Sequence, residues 1–215
     1  MPVSSAIAPL IAAVQAADSS EQLLDAVRDL ADVADETAVP ILIEALGYNN
    51  PGAAVAAVDG LVVVGKPAVA PLLTLIDNYN YGARAWAVRA LAGIADPRAL
   101  EILLDSATTD FSFSVRRAAA RGLGNLRWSD VAADRLLSDQ IRAGDALLLA
   151  TQDGEWVVRY AAVLGLQLLG LATVQPEMNQ NIGDRLHEIY RNPDEEIAVR
   201  ARAQMALQVL QSDRT

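Results

Sequence analysis

The chain has 215 residues, 53% of them hydrophobic, which suits one compact or repeat-built domain with a sizeable core and is too apolar for a disordered chain. Seventeen basic residues against twenty-seven acidic ones leave a net charge of -10, which disfavours nucleic acid and anionic membrane surfaces as partners. Cysteine is absent, so disulfides, thiolate metal sites and a cysteine nucleophile are excluded.

Ser4 and Ser5 precede an apolar segment that runs to Ala16, which predicts a capping helix within residues 1–18. That stretch has no basic residue before it. The later apolar stretch from Tyr160 to Val174 is interrupted by Gln167 and is too short to span a bilayer. A cytoplasmic protein without membrane insertion is expected. Ser19 or Ser20 is placed to cap a helix carrying Leu23, Leu24, Val27, Leu30 and Ala31.

From there the chain repeats. Leu30, Leu61, Leu91, Leu123, Leu166 and Leu207 align at separations of 31, 30, 32, 43 and 41 residues. A period of this size signals stacked helix pairs, so an all-α solenoid of about five to six pairs is expected as a single domain over residues 1–215. Ala57, Ala87, Ala119, Ala162 and Ala203 are equivalent and small, which lets neighbouring helices approach closely. Pro40 and Pro71 are expected in the first turn of the second helices of the first two repeats. The wider spacing after Leu123 is assigned to two longer inserts, 128–151 and 173–193.

A second register runs through the turns. Asp110, Asp153 and Asp194 each lie six residues before Arg116, Arg159 and Arg200, and Asn78 keeps that distance from Arg84. This is the pattern of a structural ladder, with turn carboxylates accepting from backbone N–H groups and from arginines of their own or the next repeat. Tyr81, Phe113, Trp156 and Ile197 each follow their turn residue by three and read as staples at the helix starts. The carboxylates of Asp194, Glu195 and Glu196 suit a helix N-terminus rather than a cation.

Little chemistry is left over. His187 is the only histidine and has no second ligand-type residue at metal-binding spacing, so it reads as structural and no metal or resident cofactor is expected. Gly60, Gly65, Gly122 and Gly124 fall within repeats and serve packing or helix termination rather than a phosphate loop. The segment 77–100, DNYNYGARAWAVRALAGIADPRAL, predicts a helix from Gly82 to Ile94 that buries Ala83, Ala87, Leu91 and Ile94. Its flank is a polar, aromatic turn with Tyr79 and Tyr81, followed by Trp86 and Arg89. Together with Arg117 and Arg121, which lack the repeated turn partner, these residues suit a flat, anionic ligand held by guanidinium groups and ring stacking.

That segment, with LGYNNPGAAVAAVDGL (46–61), DFSFSVRRAAARGLG (110–124) and EWVVRYAAVLGLQ (155–167), resembles the HEAT-like bilin lyases of the E/F type, over nearly the whole chain. The resemblance implies a heterodimer with an E-type subunit that attaches phycocyanobilin, as substrate, by a thioether bond to a cysteine of the phycocyanin alpha chain. The alternative it leaves open is a non-catalytic HEAT-type adaptor that binds phycobiliprotein or assists pigment removal. Relatives that also isomerise the bilin carry an Asn-His-Cys motif. Here His187 follows Leu186 and no thiol exists, so attachment without isomerisation is implied.

Overall fold

The computed structural model describes residues 7–76, 81–173 and 175–212, and its regular elements there are helical. They gather into two compact units, Met1–Ile94 and Ala95–Thr215. The first holds α1 (Ala8–Ala16), α2 (Ser20–Asp32), α3 (Val39–Ala45), α4 (Pro51–Val64), α5 (Lys66–Ile76) and α6 (Tyr81–Ile94). Within it α2, α4 and α6 pack side by side as one layer, α3 and α5 form a second, and α1 lies on α2. The other unit holds α7 (Leu100–Thr109), α8 (Phe113–Asn125), α9 (Ala133–Ala150), α10 (Trp156–Ala172), α11 (Pro176–Arg191) and α12 (Ile197–Ser212). Its layers are α8, α10 and α12 against α7, α9 and α11. The described residues hold twelve α-helices, which fits the expected five to six pairs when α1 is the cap and α12 is a first helix without a second. The stretches assigned as inserts are occupied mainly by α9 and α11, the second helices of lengthened repeats.

The aligned leucines carry the core. Leu30, Leu61, Leu91, Leu123 and Leu166 are fully buried, as are Ala57, Ala87, Ala119, Ala162 and Ala203, and Leu207 is nearly so. Each such leucine removes apolar area worth roughly 1.5 to 3 kcal/mol from water. Ala83, Ala87, Leu91 and Ile94 form the buried face expected of α6. Ser19 caps α2, its hydroxyl oxygen accepting from the Gln22 amide at 3.2 Å.

The expectation for Pro71 is corrected. Pro40 does sit in the first turn of α3, but Pro71 lies inside α5. Gly65, with φ of 75°, ends α4 in a conformation that glycine adopts without strain, and α5 begins at the next residue. The first-turn position therefore falls to Pro67, and Pro71 leaves one interior hydrogen bond of the helix unmade.

A short turn repeated in the two halves was not read from the sequence. Ala34 and Ala95 take positive φ of 53° and 60°, and the next residue, Asp35 or Asp96, caps a one-turn 3-10 helix by accepting from Thr37 or Arg98. Arg98 also donates to both carboxylate oxygens of Asp96 at 2.8 and 2.9 Å, and holds that carboxyl below its ordinary range.

Candidate functional site

The frame of the second unit is an arginine ladder along the turns before α8, α10 and α12. Arg116 of α8 donates from Nε and Nη2 to the two carboxylate oxygens of Asp153 at 2.6 and 3.0 Å. Its Nη1 donates to the carbonyl oxygens of Asp110 and Phe111 at 2.9 and 3.1 Å. One repeat on, Arg159 of α10 does the same: Nη2 donates to Glu195 at 2.6 Å, and Nη1 donates to the carbonyls of Asp153 and Gly154 at 2.8 and 3.2 Å. Each arginine thus ties its own turn to the next. Burial raises the Asp153 carboxyl pKa, but the Arg116 hydrogen bonds, the Glu155 amide and the nearby guanidinium charges outweigh it and hold the group below its ordinary value.

Of the two carboxylate partners that the sequence left open, an arginine meets the one of the following turn, and only the backbone of its own. One feature of the expected ladder is corrected. The last rung uses Glu195 where Asp194 was expected, and Asp194 is exposed. In that turn Asn192 accepts from the Asp194 amide at 3.0 Å, the contact that Asp110 and Asp153 make to Ser112 and Glu155 in the other two. The ion-pairing carboxylate therefore sits further along, with the longer side chain of Glu195 making up the distance. Arg200 donates to the Tyr190 carbonyl at 3.3 Å.

The staple reading is also corrected. Phe113, Trp156 and Ile197 are the first residues of α8, α10 and α12, and they are 49%, 43% and 78% exposed, with Phe111 at 82%. A staple packs from before the cap back onto the first turn, whereas a first helical residue here points away from the core. Counting in fours from these positions gives the exposed face of each helix. On α8 it reads Phe113, Arg117, Arg121, and on α10 Trp156, Tyr160, with Leu164 half-buried. On α12 it reads Ile197, Ala201, Met205, Val209.

The residues singled out in the sequence divide between the units. Tyr79 lies outside the described residues, as does the Tyr81 side chain, although the Tyr81 backbone starts α6. In the first unit the Arg89 guanidinium stacks over the half-buried Trp86 ring, 4.7 Å from its centroid. In the second, Arg117 and Arg121 are exposed one turn apart on α8, and neither forms an ion pair or side-chain hydrogen bond among the described residues. The four-residue step separates their Cα atoms by about 6 Å along the helix. On the adjoining α10, Tyr160 holds the place equivalent to Arg117, offset by the 43 residues that separate Leu123 from Leu166. The sequence reading passed over Tyr160, although the same offset would have found it.

The α8–α10 seam is unusually close. A Cβ added at Gly124 would lie 2.3 Å from the Gly165 carbonyl oxygen and 2.4 Å from its Cα. This brings two cations and a phenol ring onto one face formed by adjacent helices. Such a surface pairs with carboxylates through charge-assisted hydrogen bonds and with flat conjugated rings through stacking. Among the described residues no group of three or more His, Cys, Asp or Glu side chains is placed to hold a metal ion. His187 is half-buried on α11, where its Nδ1 has no hydrogen-bond partner.

Comparisons with known proteins match this architecture. Residues 72–167 match a family described as HEAT repeats, and residues 23–48 one described as PBS lyase HEAT-like repeat. The chain is similar to the phycocyanobilin lyase subunit beta of Pseudanabaena tenuis (strain PCC 7409), at 53% identity over 95% of this chain and 73% of that protein. It is similar to the subunit of the same name from Nostoc sp. (strain PCC 7120 / SAG 25.82 / UTEX 2576), at 51% identity over 92% and 96% of the two chains. Among solved structures, a chain in the complex of CpcE and CpcF of phycocyanin lyase from Nostoc sp. PCC7120 superposes with a TM-score of 0.72 at 51% identity, covering 80% of this chain and 99% of that one. An archaeal HEAT-like repeats protein from Thermococcus onnurineus NA1 shares the fold alone, with a TM-score of 0.57 at 13% identity over 98% and 88% of the two chains.

Proposed function

The chain belongs to the phycocyanobilin lyase beta (F-type) subunit family of HEAT-like bilin lyases, and from that premise we propose that its exposed α8–α10 face holds the bilin while an acceptor cysteine adds to it. The protein is a subunit of a heterodimeric lyase that works with an E-type partner to attach phycocyanobilin to the phycocyanin alpha chain. The observation that carries the site is the pair of exposed guanidinium groups of Arg117 and Arg121, one turn apart on α8, with exposed Tyr160 at the equivalent place on the adjoining α10.

Phycocyanobilin is the substrate, a flat conjugated tetrapyrrole with two propionates. Arg117 and Arg121 take the propionates by charge-assisted hydrogen bonds, and Tyr160 stacks against the ring system. Trp86 and Arg89 offer a second aromatic and cationic surface in the first unit.

The reaction is an addition. The acceptor's sulfur forms a C–S bond to one carbon of a bilin double bond, the proton of the thiol ends on the other carbon, and nothing leaves. No electron is gained or lost overall. The acceptor supplies the nucleophile, so a chain without cysteine contributes by holding the bilin in a reactive geometry, which turns an encounter of three components into one of two.

Reconstitution with bilin, acceptor and both subunits, each omitted in turn, tests the activity. Transfer that proceeds equally well without this chain overturns the lyase reading and favours an adaptor. The site is tested separately by Arg117→Ala with Arg121→Ala. Bilin affinity should fall at least about tenfold, the scale on which two charge-assisted contacts act, with no change in melting temperature. Unchanged bilin affinity and unchanged transfer would remove these residues from the site.

A further inference from the structure

A row of exposed apolar side chains lines the starts of α8, α10 and α12. Phe111, Phe113, Trp156 and Ile197 stand at the N-terminal ends of three adjacent helices. The Arg116–Asp153 and Arg159–Glu195 pairs link the three turns, so these side chains lie along one edge of the second unit. With helix axes roughly 8 to 10 Å apart, the row spans on the order of 20 Å. Large aromatic side chains each bury on the order of 150 to 250 Å² when covered, so the row reaches the size at which an exposed apolar patch marks an interaction site.

The charges on this edge specify the complement. Arg116 and Arg159 are neutralised by Asp153 and Glu195, and Glu155, Asp194 and Glu196, exposed between the apolar residues, outnumber the one further ladder cation, Arg200, which donates to the Tyr190 carbonyl. The edge is therefore apolar and acidic.

We propose that this edge, carrying Phe111, Phe113, Trp156 and Ile197, is the docking surface for the E-type subunit, which meets it with an apolar patch rimmed by Lys and Arg. The inference rests on the lyase-subunit reading above. It assigns the edge to the E-type subunit rather than to the acceptor because a permanent partner keeps such a row covered throughout the catalytic cycle, and lasting interfaces are the more apolar ones. The edge runs into the face of Arg117, Arg121 and Tyr160, so a subunit seated on it stands beside the bilin and closes a site that this chain leaves open to water.

The experiment measures the affinity of the full chain for the E-type subunit by calorimetry, with bilin binding and melting temperature recorded alongside. Phe111→Ser with Ile197→Ser should weaken the heterodimer at least about tenfold, the scale of hot-spot truncation, while leaving bilin affinity and melting temperature unchanged. Glu155→Lys with Glu196→Lys should weaken it further at low salt than at high salt. Unchanged E-type affinity in the serine variant overturns the proposal. So does a loss confined to acceptor binding, or a change only in self-association by sedimentation. If the unaltered chain fails to bind any E-type subunit, the lyase-subunit reading falls with it.

Discussion

Asp153 ties three segments together: it accepts from Arg116 of the preceding repeat, caps its own turn through the Glu155 amide, and offers its backbone carbonyl to Arg159. The Arg116 and Asp153 side chains are both largely buried, so this ion pair is screened less than one at the surface. Asp153→Asn should destabilise the protein by about 2 kcal/mol at neutral pH, the scale of hydrogen bonds to a charged group. The folded-state pKa of Asp153 lies below 3.8, so its contribution is complete above that value and is lost as the pH falls through the lower folded-state value. Urea denaturation at pH 7 and at pH 3 checks both points: the gap between wild type and variant should be smaller at pH 3 than at pH 7. Arg117 and Arg121 differ in kind, since they make no ion pair among the described residues and their removal is expected to cost binding rather than stability.

At the scale of elements, the α8–α10 seam decides how the second unit is built. Gly124 and Gly165 meet backbone to backbone, and a Cβ at Gly165 would lie 2.6 Å from the Ala120 carbonyl oxygen. At Gly124 the three nearest atoms are all Gly165 backbone, so no flexible side chain can move aside there. Gly124→Ala should therefore cost about 3 kcal/mol, the upper end of the usual cost of overpacking, even though alanine is the better helix former. It should also weaken bilin binding, because spreading the seam separates Arg121 and Arg117 from Tyr160. A denaturation midpoint equal to that of wild type would show that the helices part without strain.

For the whole molecule, the absence of any thiol sets a limit on chemistry. No side chain of this protein matches a thiolate as a nucleophile near neutral pH, so no covalent adduct to this chain is expected at any stage of transfer. A reversible thiolate adduct offers a route for shifting a bilin double bond, and without one the acceptor should carry unisomerised phycocyanobilin. Denaturing electrophoresis of a stopped reaction, followed by the absorption spectrum of the denatured product, tests both statements. Bilin migrating with this chain contradicts the first, and a phycoviolobilin spectrum contradicts the second.

The repeat, its buried leucines and alanines, the capping of α2 by Ser19 or Ser20 and the exclusion of thiol chemistry were legible in the amino-acid order. Each depends on spacing along one helix or on composition, and burial follows helical period directly. What crosses from one repeat to the next was not legible. The sequence left each turn carboxylate open to an arginine of its own or the next repeat, and only the structure decides for the next, joining Arg116 to Asp153 and Arg159 to Glu195 rather than to Asp194. It read Phe113, Trp156 and Ile197 as staples at the helix starts, and the turns instead set them outward in a row. It named Arg117 and Arg121 without Tyr160, which becomes their neighbour only because glycines at 124 and 165 let α8 and α10 close together. Periodicity states which residues share a face of one helix. Which faces lie side by side depends on the turn conformations and on the distance at which the backbones stop, and those are properties of the packed chain.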